Sequence, residues 1–180
     1  MRFRRLAWLL ALACLLAGCG GGKKASAPPP AAPAQITLSS PAFAANATIP
    51  TRYTCSGAGA SPPLRWSGVP SGTRELTLVV EDPDAGNFVH WIVLRIPPAT
   101  KEIPAGQPPA GSVETKNSFG KRGWGPPCPP KGKAAHHYVF ALYATRAPLG
   151  LDAGASPDDV DKALQRTALA RGTLTATFGR

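Results

Sequence analysis

Proline and glycine interrupt this chain so often that no long helix can run through most of it. There are 21 prolines and 19 glycines among 180 residues, and short runs of apolar and β-branched residues lie between them. Proline fixes φ and lacks a backbone donor, so it ends helices and is excluded from central strands. What remains is a set of short strands joined by turns, the pattern of a loop-rich all-β protein rather than a helical bundle. The alternation of apolar and polar residues predicts strands at Glu75–Glu81 (ELTLVVE), His90–Ile96 (HWIVLRI), His136–Tyr143 (HHYVFALY) and Thr173–Phe178 (TLTATF). Pro97–Gly111 and Gly123–Gly132 are predicted to be ordered surface loops.

One helix is marked by its boundary residues. Ser156 can cap it, Pro157 fits its first position, and Asp158 and Asp159 place negative charge at its positive end. Asp159 only approximates a capping box, which prefers Glu or Gln. Val160, Ala163, Leu164 and Ala168 form one apolar stripe, Arg166 and Arg171 suit the C-terminal end, and Gly172 is predicted to stop it. Such a helix packs on a sheet and carries no chemistry of its own.

The first residues form an address. Arg2, Arg4 and Arg5 make a positive region, Leu6–Leu16 an apolar run too short to span a bilayer comfortably, and the stretch ends in Leu16-Ala17-Gly18-Cys19. Residues 1–18 therefore read as a secretory signal peptide. The ending resembles a bacterial lipobox, in which Cys19 receives the lipid and becomes the mature N-terminus. Several acyl chains on Cys19, at about 0.8 kcal/mol per buried CH₂, would hold the protein to a membrane. Residues 19–34 continue with Gly, Lys, Ala, Ser and Pro, which bury nothing and form a tether. The folded domain is expected to span residues 35–180, a length suited to one core.

Cys14 leaves with the leader and Cys19 is spent on lipid, which leaves Cys55 and Cys128 as an even pair in an oxidising compartment. A disulfide between them is one outcome and a free pair the other, because sequence does not measure their separation. A zinc site is disfavoured, since neither has a CxxC neighbour.

The formal charge is +10, from 20 basic and 10 acidic residues. Removing the three leader arginines leaves 17 basic against 10 acidic, a net +7. Such a balance favours anionic partners. The basic residues are scattered and no nucleic-acid motif is present, so nucleic acid is not the expected partner.

Three clusters could carry chemistry: Asp82-Pro83-Asp84-Ala85, His90-Trp91, and Gly125–Gly132 followed by His136-His137-Tyr138. On a strand, His136 and Tyr138 project from one face and His137 from the other. His90 and His136 open strands, while Asp82 and Asp84 close one, so all can reach one rim. Carboxylates orient imidazoles and favour their protonated form. Such rings, with a tyrosine hydroxyl and loop N–H groups held by prolines, make an anion-binding pocket. Each piece alone is weak: a DPD triplet is commonly a turn. Adjacent histidines on opposite strand faces do not chelate one metal, and neither a metal nor another cofactor is expected.

Taken together, Ser61-Pro62-Pro63-Leu64-Arg65-Trp66-Ser67-Gly68-Val69-Pro70, Asp82-Pro83-Asp84-Ala85, His90-Trp91, Gly125-Pro126-Pro127-Cys128-Pro129-Pro130 and His136-His137-Tyr138-Val139-Phe140 resemble the phosphatidylethanolamine-binding family in order and spacing. The bacterial Raf kinase inhibitor-like branch is the nearest match, and the resemblance covers residue 36 to Arg180. It implies a two-sheet β fold, all-β with a minor C-terminal-region helix, and a pocket at one end for phosphate-like or carboxylate groups. By position, Asp82 and His90 match the family's pocket aspartate and histidine, and Asp84 the second aspartate of the motif. His136, Tyr138 and Pro129 match the later histidine, tyrosine and a pocket-wall proline. Between Ala85 and His90 the chain is shorter than in animal members.

The expected function is a membrane-anchored binding protein of the bacterial cell envelope, taking a small anion or phospholipid headgroup. Gly20, after the lipidated cysteine, leans towards the outer membrane facing the periplasm. The alternative is an inhibitor of an envelope protease or kinase, with a protein as partner. A hydrolase using Asp82, His90 and Asp84 is disfavoured, because no serine or cysteine stands beside a base in an evident triad.

Overall fold

The strongest alternating runs become the middle of a sheet, and the Pro/Gly segments become its connections. The computed structural model describes residues 34–180; the leader, Cys19 and all of the tether except Ala34 lie outside the described residues. In chain order the elements are β1 (Ala34–Gln35), β2 (Thr37–Ser39), β3 (Leu64–Ser67), β4 (Glu75–Asp82), β5 (Phe88–Ile96), β6 (Glu102–Ile103), β7 (Val113–Glu114), β8 (His136–Thr145), α1 (Pro157–Thr167) and β9 (Ala168–Phe178). A six-stranded sheet has the order β1-β9-β8-β4-β5-β7, and a three-stranded sheet the order β2-β3-β6. Only the β1–β9 pair is parallel among these strands.

The large sheet is covered on both faces, which is why β4 reads as nearly continuous apolar sequence. Leu76, Leu78 and Val80 point towards the small sheet and pack with Leu38, Leu64 and Trp66. Val79 points the other way and packs with Ile92, Val160 and Leu164 beneath α1. The helix thus does what its apolar stripe predicts. Its capping box also forms, with Asp159 in the glutamate's place: the Asp159 N–H donates to Ser156 Oγ at 3.2 Å and the Ser156 N–H to Asp159 Oδ2 at 3.1 Å. These Ser156 hydrogen bonds hold the Asp159 carboxyl below its ordinary range.

Two sequence expectations are corrected. The helix ends at Thr167, not before Gly172, and residues 168–178 pair along β8 instead. Propensity at Ala168–Arg171 yields to sheet pairing, a tertiary override. Gly172 is not a helix stop; it is a strand residue on which a Cβ would collide with the Ile36 backbone carbonyl. The stretch Pro97–Gly111, read as loop throughout, contains β6, whose two residues are too few to show a period.

Candidate functional site

The adjacency of β4, β5 and β8 brings the three clusters to one end of the large sheet. β4 pairs with both other strands, antiparallel to each, so its C-terminal end meets the start of β5 and the start of β8. Asp82 ends β4 buried, at 3% exposure. Its Oδ1 accepts the Ala85 N–H at 3.0 Å, capping the short 3₁₀ turn Pro83–Ala85. Its Oδ2 lies 2.8 Å from His136 Nδ1. A carboxylate accepts here and the imidazole Nδ1 donates, so His136 keeps Nε2 for a further partner.

His90 is held by the Gly125–Gly132 loop. Its Nδ1 lies 2.7 Å from the Gly125 carbonyl, and the Gly125 N–H donates to the His90 carbonyl at 2.8 Å. Because a carbonyl only accepts, Nδ1 carries the hydrogen and Nε2 is left for a ligand. Phe88, Phe119 and Tyr138 pack against the ring, with centroids 5.4, 5.6 and 5.3 Å away. Burial pushes the His90 pKa down, outweighing the Gly125 hydrogen bond and the Asp82 charge. The expected protonated form is therefore disfavoured at this ring, because its walls are aromatic rather than polar.

Tyr138 shares a strand face with His136, as alternation requires, and is fully buried. Its hydroxyl makes no hydrogen bond of satisfactory geometry within the protein. Burial, and secondarily the charge of Asp82, raise its pKa above the ordinary phenol value, so it stays a hydroxyl. Its nearest acceptor in the protein is the Asp82 carboxylate.

These groups open onto one cavity of about 250 Å³, lined by Asp82, His90, Pro129, His136 and Tyr138 together with Ala85, Phe88, Phe119, Cys128 and Pro130. Five of the six residues expected to bind ligand thus lie on one wall system. Asp84 does not: its Oδ2 accepts the His137 N–H at 2.6 Å and lies 2.9 Å from His137 Nδ1, on the outer side of β8. Those hydrogen bonds lower the Asp84 pKa, the backbone one most. Asp84 braces the start of β8 next to the cavity. A wider groove of about 670 Å³, between Trp66–Thr73 and Pro98–Lys101, holds none of the candidate residues, and Lys101 is its one charged side chain.

The disulfide alternative is the one that forms: Cys55 and Cys128 are bonded, their Cα atoms 5.4 Å apart. The Cys55 N–H donates to the Pro127 carbonyl at 3.0 Å, so the cavity wall is tied to the 51–59 segment twice. The loop offers fewer amides than expected. Those of Gly125, Gly132 and Lys133 are taken by His90, Arg180 and Pro130 carbonyls. The Cys128 N–H, on the cavity wall, is not among them.

Phe88 and Phe119 are cavity-lining residues that sequence reasoning passes over. Phe88 lies two residues before His90 on β5, so period-2 geometry places it on the His90 face. Phe119 carries no local signal, since a loop joins it to the site. No group of three His, Cys, Asp or Glu suited to a metal ion occurs among the described residues.

The two-sheet β fold, with its cavity at the end of the large sheet, is that of a known family. The family model for phosphatidylethanolamine-binding protein matches residues 39–179, and the chain belongs to that family. LppC of Mycobacterium tuberculosis, named as a lipoprotein, is 42% identical over 187 residues, covering 94% of this chain and 92% of LppC. The Chlamydia trachomatis protein CT736, described as a phosphatidylethanolamine-binding protein homologue, is 34% identical with a TM-score of 0.76, over 81% of this chain and 98% of its own. Escherichia coli YbcL, described as a member of the mammalian family, is 30% identical with a TM-score of 0.77, over 82% and 99%.

Proposed function

We propose that this protein is a lipid-anchored, Raf kinase inhibitor-like binding protein of the bacterial envelope whose cavity takes a phosphate-type group, as a free anion or a phospholipid headgroup. The observation that carries the reading is the meeting of three groups at one cavity: His136 held by Asp82, His90 held by Gly125, and the buried Tyr138 beside Asp82. A phosphate oxygen accepts from the Tyr138 hydroxyl. The neutral His90 Nε2 accepts, from the P–OH of hydrogen phosphate or from the ammonium of an ethanolamine headgroup, and His136 Nε2 faces a further phosphate oxygen.

Size and lining support a small occupant. About 250 Å³ falls below the roughly 300–1,000 Å³ of pockets that enclose drug-sized ligands. Ala85, Phe88, Phe119, Pro129 and Pro130 supply apolar wall, suited to the short carbon chain beside a headgroup phosphate. The cavity offers binding chemistry and no activated nucleophile, so the reading is capture rather than turnover.

Lipid anchoring rests on the lipobox-like Cys19 and on similarity to LppC. Coverage of 94% of this chain extends ahead of Ala34, into the leader and tether. Residence in the outer membrane facing the periplasm follows from Gly20 alone and is the finer part of the proposal.

The test is titration calorimetry of the full-length chain with phosphoethanolamine and with inorganic phosphate. His90→Ala and His136→Ala are each expected to abolish the binding seen in the parent while circular dichroism stays unchanged. Unaltered affinity in both variants overturns the assignment.

A further inference from the structure

We propose that the wide groove between Trp66–Thr73 and Pro98–Lys101 is a polyproline-binding site, and that its occupant is this chain's own Ala27–Pro33 segment. The groove shares no lining residue with the end-of-sheet cavity, and the docking does not draw on the headgroup reading.

The groove is preformed. Trp66 belongs to the core and Val69 packs against it. The Trp66 N–H donates to the Lys101 carbonyl at 3.0 Å, which ties the two sides together. Within the sides, Thr73 Oγ1 donates to the Pro70 carbonyl at 2.7 Å and the Thr100 N–H to the Pro97 carbonyl at 2.9 Å. A wall already ordered loses little freedom when a ligand arrives.

The lining selects the chemistry of the occupant. Trp66, Val69, Pro70, Pro98 and Ala99 supply apolar wall, and Lys101 is the one charged residue. Trp66 is 5% exposed, and its Nε1 is a buried donor without a hydrogen-bond partner among the described residues. Leaving such a donor unmet is costly. A proline run offers the complement: ring faces for the wall, and carbonyls that no internal hydrogen bond occupies, because the polyproline helix makes none. Apolar, aromatic-lined grooves recognise proline-rich segments in this way.

The chain carries such a segment next to the groove. Ala27–Pro33 reads Ala-Pro-Pro-Pro-Ala-Ala-Pro, without a charge, and lies outside the described residues. Its C-terminal neighbour is placed by the fold. Ala34–Gln35 pairs with Ala170–Arg171, Thr37 pairs with Ser67, and the Gln35 carbonyl lies 3.5 Å from the Cβ position of Gly68 on the groove wall. At ~3.1 Å per residue, Pro28–Pro30 lies ~12–19 Å of chain back from Ala34, close enough to enter a groove whose wall begins at Gly68. Lys23 and Lys24 fall further back, away from Lys101. A short covalent link gives the segment a high effective concentration at the site. Docking leaves Gly20–Ala27 as the free leash from Cys19, roughly half the reach of Gly20–Ala34. The groove then sets how far the domain stands from its N-terminal anchor, a consequence that rests on the anchoring reading.

The test is hydrogen–deuterium exchange on the full-length chain in detergent, parent against Pro28→Ser/Pro29→Ser/Pro30→Ser. These substitutions lie ahead of the folded domain, so the fold is not at stake. Amides of residues 68–73 and 99–101 are expected to exchange several-fold faster in the triple variant, independently of protein concentration. The free peptide Ala-Pro-Pro-Pro-Ala-Ala-Pro, added at about millimolar concentration, should restore the parent rates. Ala99→Asp, at an exposed position of the groove, should speed the same amides in the parent and change nothing further in the triple variant. Equal exchange in parent and triple variant overturns the proposal. So does protection that grows with protein concentration, which would make a second copy the occupant, and so does a peptide without effect on the triple variant.

Discussion

Asp82 Oδ2 lies 2.8 Å from His136 Nδ1, joining two residues 54 apart in sequence across the end of the large sheet. The same buried carboxylate caps the Pro83–Ala85 turn through Oδ1. Asp82→Asn separates these duties. The amide oxygen can keep the cap, but its NH₂ would face the hydrogen of His136 Nδ1 and force the ring into its other tautomer or away. The expected result is a loss of about 1–3 kcal/mol of stability, the usual cost of an unsatisfied buried polar group, and at least a tenfold drop in phosphoethanolamine affinity. Urea unfolding and calorimetry measure the two, and unchanged affinity would show that His136 orientation does not matter to the ligand.

The pH dependence of stability should carry the signature of His90. Burial, the largest influence, lowers its pKa in the folded protein below the ordinary 6.5. The unfolded chain therefore takes up the proton first as pH falls. The stability contributed by neutral His90 is complete above 6.5 and is lost as pH drops from there through the folded-state value. Melting temperature should fall as pH drops below 6.5, and fall less steeply in His90→Gln, which cannot titrate there. Parallel curves for the two proteins would refute this.

Reducing the Cys55–Cys128 bridge should destabilise the domain and loosen the pocket together. The bridge closes a span of 73 residues, for which the loop-entropy relation gives about 4 kcal/mol. Cys128 also sits on the cavity wall between Pro127 and Pro129. The double variant Cys55→Ala/Cys128→Ala should unfold at lower urea by that amount and bind phosphoethanolamine more weakly. A destabilised variant with full affinity would mean that the remaining Cys55–Pro127 hydrogen bond is enough to hold the wall.

Legibility in the sequence followed the range of the interactions. Alternation located β4, β5 and β8, because both faces of the sheet are enforced by burial along each strand. Alternation likewise separated His136 and Tyr138 from His137. The Ser156 cap was readable since its partner is three residues away. By contrast, β9 was half hidden. Ala168–Arg171 continue a helical stripe, and only pairing with Tyr143 and Ala144 turns them into strand. Asp84 and Asp82 look equivalent in a DPD triplet, yet the 3₁₀ turn points one outward to His137 and leaves the other under the cavity. The neutral state of His90 was equally hidden, since Phe119, 29 residues away in sequence, helps to bury it.

Gly172 offers the sharpest check on how the N-terminal strand is held. Its φ is not in the left-handed region, so alanine there suffers no dihedral strain; the obstacle is the Ile36 carbonyl, which a Cβ would strike. That carbonyl belongs to the residue whose N–H donates to Arg171 at 3.0 Å. Gly172→Ala must therefore push the β1–β2 segment off β9, at about 1–3 kcal/mol for overpacking. Gly72 is the matched control. Nothing lies within 4 Å of its Cβ position, but its φ is +83°, so alanine costs about 1–2 kcal/mol through the backbone alone. Both variants should lower the urea midpoint, and only Gly172→Ala should speed exchange of the Ile36 amide ahead of global unfolding. Faster Ile36 exchange in both, or in neither, would mean that the close approach at Gly172 does not anchor the strand.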